Sequence, residues 1–227
     1  MVHALRWQEF LKLGDFMGEE GRFAELVQLA WQGKMEFNQL LEQAAAYESV
    51  GQATLGIVLY QTWLKRNVSP FVHIAQFNLG AMLSNAGEVT GAEEAYRQAI
   101  SLAPGFSHTR LNLGLLFERK GEVDRAIAEW KWVADNISIA TPDGRSMVVM
   151  ALNHLGRVWE NKKQYRDALD ALTRSLNIEP NQSDALHHWV YLREKQCAWP
   201  VYIEVPGVSR DLMEISTSAL AMLNLTD

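Results

Sequence analysis

Three side chains recur immediately before a Leu-Gly pair. They are Asn78 before Leu79-Gly80, Asn112 before Leu113-Gly114 and His154 before Leu155-Gly156. An asparagine amide offers a donor and an acceptor together. Repeated at fixed spacing, it can hold the main chain of an extended polypeptide without reading its side chains. The same inventory equally serves to tie neighbouring helices together, and the residue types fit both uses. Phe77, Leu111 and Asn153 stand beside the ladder, followed by Ile74, His108 and Met150, with Arg157, Glu118 and Arg119 near the same line. The candidate groove therefore comprises Asn78, Asn112, His154, Phe77, Leu111, Asn153 and Arg157, a mixed lining suited to a protein or peptide.

Other chemistry is sparse. There is no phosphate-cradling Gly-rich loop, no Gly-x-Ser-x-Gly elbow and no His-Glu-x-x-His pair, so no catalytic residue, metal site or cofactor is assigned. His187-His188 is the one adjacent pair. Neighbouring residues diverge by about 100° on a helix, so one packed and one exposed imidazole is the expectation. Cys197 stands alone, which excludes an internal disulfide and favours a reducing, cytoplasmic setting. It is read as a buried or neutral thiol.

The elements that position these groups follow from a period. The two intervals between the Leu-Gly pairs, from Gly80 to Gly114 and from Gly114 to Gly156, differ only by an insert. A small residue follows each pair (Ala92, Ala126, Ala168), then a large one (Tyr96, Trp130, Leu172), then Pro104, Ser138 or Pro180. Gly87 and Gly121 mark the turns between helices. Leu79 and Leu83, Leu113 and Phe117, and Leu155 and Trp159 each make an i, i+4 apolar stripe. The glycine and the alanine let paired helices approach, and the large residue is expected to fill the gap to the next unit. This pattern resembles the tetratricopeptide repeat, a helix-turn-helix unit. The expected fold is all-α, a tetratricopeptide-repeat right-handed superhelix with a capping helix and a short C-terminal tail.

The expected organisation is degenerate helix pairs over 1–72, three repeats over 73–182, a capping helix over 183–199 and the start of a linker over 200–227. An insert near 138–145 carries Thr141-Pro142-Asp143, a helix start that is expected to lengthen the flanking helices. Upstream, one pair turns near Gly51 and a weaker one near Glu20-Gly21. Val201–Val208 is β-branched and expected to be extended. Most of the 8 Trp fall on packed faces, Trp63, Trp130, Trp159 and Trp189 among them, leaving Trp132 and Trp7 for the surface.

Of the 227 residues, 48% are hydrophobic and the net charge is −6. The first figure supports a packed core, and the second argues against nucleic acid or anionic lipid as a partner. No uncharged apolar run is long enough to span a bilayer. Trp7, Phe10 and Phe16 suit either a cap or the contact surface of a homo-oligomer. A chaperone-tail clamp, which needs several cations on the third unit, is not expected where Met150, His154 and a single Arg157 stand.

The run from Gln182 to Tyr202, QSDALHHWVYLREKQCAWPVY, resembles the junction in bacterial, especially cyanobacterial, proteins similar to O-linked N-acetylglucosamine transferase and Spindly. There, repeats lead into a glycosyltransferase, and Asn78-Leu79-Gly80 and Asn112-Leu113-Gly114 look like that family's substrate-holding asparagine ladder. The resemblance implies a repeat region that recruits proteins to a nucleotide-sugar-dependent enzyme acting on Ser or Thr. Its two sugar-nucleotide lobes would lie beyond Asp227, so no catalytic or donor-site residue is carried over. The alternative is a stand-alone scaffold or adaptor with no enzymatic activity.

Overall fold

The computed structural model describes residues 18–203 and 205–216. These form α1 (Gly18–Trp31), α2 (Phe37–Ser49), α3 (Ala53–Arg66), α4 (Val72–Asn85), α5 (Val89–Leu102), α6 (Ser107–Arg119), α7 (Val123–Asn136), α8 (Pro142–Asn161), α9 (Tyr165–Ile178), α10 (Ser183–Lys195) and α11 (Arg210–Ser216). The chain divides into two compact units, Met1–Phe106 and Ser107–Asp227. Trp7, Phe10 and Phe16 lie outside the described residues.

In the first unit α2 packs on α3, α3 on α4 and α4 on α5, while α1 lies against α3. The turn expected at Glu20-Gly21 does not exist: both residues lie inside α1. Trp63 is fully buried and its indole N–H donates to the Met35 carbonyl at 2.9 Å. Asn67 ends α3 and donates to the carbonyls of Trp63 and Ala30, tying the ends of α3 and α1 together. Phe71, 46% exposed, stacks on Phe37 at 5.0 Å.

In the second unit α6–α7 and α8–α9 form the helix pairs, α6 also touches α8, and α10 closes against α9. The insert lengthens α8 alone: α8 has 20 residues, whereas α7 keeps the 14 of α5. Thr141 is the N-cap, its hydroxyl accepting from Gly144 N at 3.1 Å, with Pro142 in the first turn. The added turn pays for itself by burying Met147 and Val148. After α10 the chain folds back. Val201, Val205, Val208 and Met213 are buried against Leu176, Ala185, Leu186 and Trp189. The segment read as extended is instead a tight turn, with a lone bridge between Val205 and Val208 and a positive φ at Gly207. Burial of four apolar side chains outweighs the strand propensity of isolated valines.

One local rule operates in both units. A Cβ on Gly80 would lie 2.6 Å from Tyr96 Cδ1, one on Gly114 2.3 Å from Trp130 Nε1, and one on Gly156 2.8 Å from Leu172. Each large residue thus covers the glycine of its own helix pair, and Trp130 also reaches the next pair, where it meets His154. Ala92, Ala126 and Ala168, all fully buried, bring the second helix close. The turn within each pair needs a left-handed residue, Gly87 at φ 81° and Gly121 at φ 76°, but Lys163 holds it at φ 60° in the third. Side chains with a Cβ resist that conformation by about 1–2 kcal/mol. Lys163→Gly is therefore expected to raise stability by about 0.5–1 kcal/mol, after the extra unfolded-state freedom of glycine is subtracted. A shift of the urea midpoint to higher concentration checks this, and a lower midpoint would contradict it.

Three surface expectations are corrected. Trp132 is half-buried beneath the Arg110 guanidinium, 4.0 Å from its ring, and among the described residues the exposed indoles are Trp31 (53%) and Trp199 (67%). His187 and His188 are both exposed, the latter paired with Glu160 at 3.0 Å, because Leu186 and Trp189 take the buried side of α10. Cys197 is exposed just beyond the end of α10.

Candidate peptide-binding face

Asn78, on α4, is half-buried, and its side chain hydrogen-bonds the Tyr60 phenol of α3. Burial pushes that phenol up to about 12, and the bond from Asn78 partly opposes the rise. Phe77 packs edge-on to Phe106 at 5.3 Å and obliquely to Tyr96. In the first unit the ladder residue thus serves helix packing.

Asn153, on α8, is engaged at both ends of its amide. It donates to Gln182 Oε1 at 2.7 Å and accepts from the fully buried Ser175 hydroxyl at 2.7 Å. Gln182 in turn donates to the Ser175 and Glu179 carbonyls. This network joins α8, the end of α9 and the start of α10. Leu111 is buried, not lining, and its carbonyl accepts the Trp130 indole N–H at 3.2 Å.

Asn112 and His154 differ from these. Both are half-buried, and neither side chain makes a hydrogen bond among the described residues. They sit on α6 and α8, the two first helices of the pairs in this unit, which pack directly on each other. His154 stacks on Trp130, with centroids 4.8 Å apart and planes 17° from parallel. Trp130 is fully buried and pinned by Leu111, so it is a fixed platform for the imidazole. Arg157, one turn on, forms a bidentate pair with Glu118 of α6, both contacts 2.7 Å. That pair clamps α6 to α8 at the end of the face. Met150, one turn before His154, is 42% exposed.

The electrostatics are coherent. Burial, with the Arg157 cation beside it, holds His154 below its ordinary 6.5, and Glu118 only partly opposes this. The hydrogen bond from Arg157 holds the Glu118 carboxyl low, and Glu118 raises Arg157 in return. At neutral pH His154 is thus uncharged and presents one donor and one acceptor, the pair that asparagine offers at the equivalent positions. The departure from asparagine conserves the chemistry of the ladder.

A pH dependence follows. The unfolded imidazole takes up its proton near 6.5, and the folded one only at lower pH. The unfolded state therefore binds more protons in that window, so stability is complete above 6.5 and falls as pH drops toward the folded value. The Glu118 contribution is present above the ordinary carboxylate range and is lost at still lower pH. Urea midpoints at pH 7.5 and 5.5 should differ more for the native chain than for His154→Asn. Equal differences would exclude His154 as the source.

Sequence reasoning missed Tyr60, Ser175, Gln182 and the platform role of Trp130. Trp130 is a repeat position and Gln182 opens the run 182–202, but these roles are legible only once it is known which helix faces which. Among the described residues no His, Cys, Asp and Glu gather as a metal site, and no helix is long and apolar enough to cross a membrane.

The tetratricopeptide repeat family profile matches residues 41–105 and 85–131. The α8–α9 pair lies outside these matches, although it keeps Leu155-Gly156, Ala168 and Leu172. No curated protein matches the chain in sequence. Solved structures do match in fold. A tetratricopeptide repeat protein from Parabacteroides merdae is 16% identical with a TM-score of 0.61, over 84% of this chain and 67% of its own. BtubC (BKLC) from P. vanneervenii is 14% identical with a TM-score of 0.63, over 96% and 89%. The C-terminal part of a repeat-containing protein from Cytophaga hutchinsonii is 17% identical with a TM-score of 0.60, over 91% and 76%. At these identities the likeness speaks of fold alone. Residues 41–131 match tetratricopeptide repeats, and the fold of the described residues is of the all-α, tetratricopeptide-repeat solenoid class.

Proposed function

We propose that this is a protein-binding repeat region that holds an extended polypeptide on the α6–α8 face of its second unit. The observation that carries this is a contrast among the candidate groove residues. Asn78 and Asn153 have partners inside the fold, whereas Asn112 and the neutral His154 keep free donors and acceptors on adjoining helices. Arg157 and Glu118 fix the spacing of those helices, and Met150 supplies an apolar neighbour. Main-chain recognition of this kind is tolerant of sequence, which suits a recruiting domain. Peptides selected by display on the full chain should bind Asn112→Ala/His154→Ala at least tenfold more weakly by fluorescence anisotropy, a loss on the order of 1.4 kcal/mol for the bonds removed. Undiminished affinity in that variant would overturn the reading.

A narrower version places these repeats ahead of a nucleotide-sugar-dependent O-glycosyltransferase acting on Ser or Thr of cytoplasmic proteins. It rests on the resemblance of residues 182–202 to such a junction. It requires a reading frame that runs past Asp227 into two sugar-nucleotide lobes. A stop codon there leaves the scaffold or adaptor role.

A further inference from the structure

One edge of the first unit leaves both aromatic surface and positive charge open to solvent. It is built by the α1–α2 and α3–α4 loops, which meet beside the ends of α1 and α3. The Asn67 amide donates to the Ala30 and Trp63 carbonyls there, and a Cβ on Gly33 would lie 3.6 Å from the Arg66 carbonyl. Trp31 is exposed, with the Arg66 guanidinium 3.7 Å over its ring. Val68 is fully exposed, and Phe71 is nearly half exposed although it stacks on Phe37. Phe37 rests in turn on the buried Trp63, 5.7 Å away, so this aromatic row has a fixed base.

The charge of the edge is opposite to that of the chain. Residues 31–37 and 65–72 carry Lys34, Lys65 and Arg66 against one acid, Glu36, while the whole chain stands at −6. All four are exposed, and among the described residues no carboxylate pairs with any of the three cations. Cations near a helix C-terminus often serve its free carbonyls. Here the carbonyls of Gln28, Leu29 and Ala30 already accept from the main-chain N–H groups of Gln32, Lys34 and Gly33, and that of Trp63 from Asn67. The macrodipole favours the cations, but no cationic side chain is needed for capping. Their hydrogen-bonding capacity is open to a partner.

Trp, Phe and Arg are the residue types that concentrate binding energy at interfaces. We propose that this edge docks an acidic polypeptide segment of another protein. Apolar side chains of the segment rest on Trp31, Val68 and Phe71, and its flanking carboxylates face Lys34, Lys65 and Arg66. Charge selects this occupant. The chain's own first residues carry Arg6 and Lys12 against Glu9 and Asp15, so they offer no complement. An isologous contact with a second copy would set like charges together. An anionic bilayer is opposed by the net charge of the chain, and Arg66 covers the indole that would have to enter it. The surface uses no residue of the α6–α8 face.

The test titrates the full chain into a fluorescein-labelled peptide, Glu-Asp-Phe-Glu-Glu-Leu-Asp-Glu-Phe, and reads anisotropy. Trp31→Ala and Lys34→Glu/Arg66→Glu should each weaken binding by about tenfold or more. The same peptide with Gln at every acid should lose as much, and raising salt from about 50 mM to about 300 mM should cost about fivefold. Trp199→Ala, another exposed indole, and Asn112→Ala/His154→Ala should keep the native affinity. Circular dichroism checks that every variant is folded. Absence of binding at about 1 mM chain overturns the proposal, as does native affinity in either Trp31→Ala or the charge-reversed pair. Loss of binding in Asn112→Ala/His154→Ala overturns it by moving the peptide to the other face. So does a Trp31-dependent association, without peptide binding, either with vesicles of phosphatidylcholine and phosphatidylserine or of the chain with itself in light scattering.

Discussion

Trp130→Ala is expected to lower the stability of the second unit by about 3–5 kcal/mol, the range for emptying a fully buried indole site. Trp130 is fully buried, covers Gly114 and supports the His154 ring. Its loss leaves a cavity between α6 and α7 and removes the donor to the Leu111 carbonyl. Neither helix can close the gap, because Ala126 already brings them to contact. Trp132→Ala is the control. That ring is half-buried on the surface under Arg110, so about 1 kcal/mol is at stake. The change in denaturation midpoint of the two variants measures the contrast, and equal midpoints would show that Trp130 is not the keystone of this pair.

Gly114→Ala is the second large effect, a net loss of about 2 kcal/mol. The new methyl would stand 2.3 Å from Trp130 Nε1, and the indole is held by its hydrogen bond and the His154 stack, so the ring must move as a whole. Overpacking of this kind costs about 1–3 kcal/mol or somewhat more, against about 1 kcal/mol returned by the better helix propensity of alanine. Gly91→Ala behaves oppositely. Its methyl meets only the Leu83 side chain, nearest at Cδ1, 3.3 Å away, so it should be neutral or stabilising. A double-mutant cycle sharpens the claim. In the third pair a Cβ on Gly156 would still lie 2.8 Å from Leu172, so Trp130→Leu should remove only part of the penalty of Gly114→Ala, by replacing a pinned ring with a smaller, more flexible side chain. Additive losses would mean that the glycine is needed for another reason.

The repeat was readable because its rules are local. The Leu-Gly pair, the alanine, the large residue and the turn glycine are fixed offsets within one helix pair, and each has a packing reason visible in its residue type. Thr141-Pro142 was readable for the same reason, since a cap needs only its own four residues. The site was harder. Asn78, Asn112 and Asn153 are chemically identical, and what separates them is a Tyr60 phenol, a Ser175 hydroxyl or a Gln182 amide brought in from other helices. Exposure of the tryptophans was misjudged likewise, because the cover over Trp132 is an arginine from another helix of the unit. The fold of the tail escaped the period altogether, as burial of four scattered apolar side chains has no spacing to betray it.

The most direct test of the binding face is the side-chain amide spectrum of the full chain, with Asn78, Asn112 and Asn153 assigned by substitution, titrated with a display-selected peptide. The account predicts that the Asn112 amide pair and the His154 ring shift together on binding, while the Asn78 and Asn153 amides, already engaged inside the fold, stay in place. Binding that moves Asn78 or Asn153 and leaves Asn112 unchanged would contradict it.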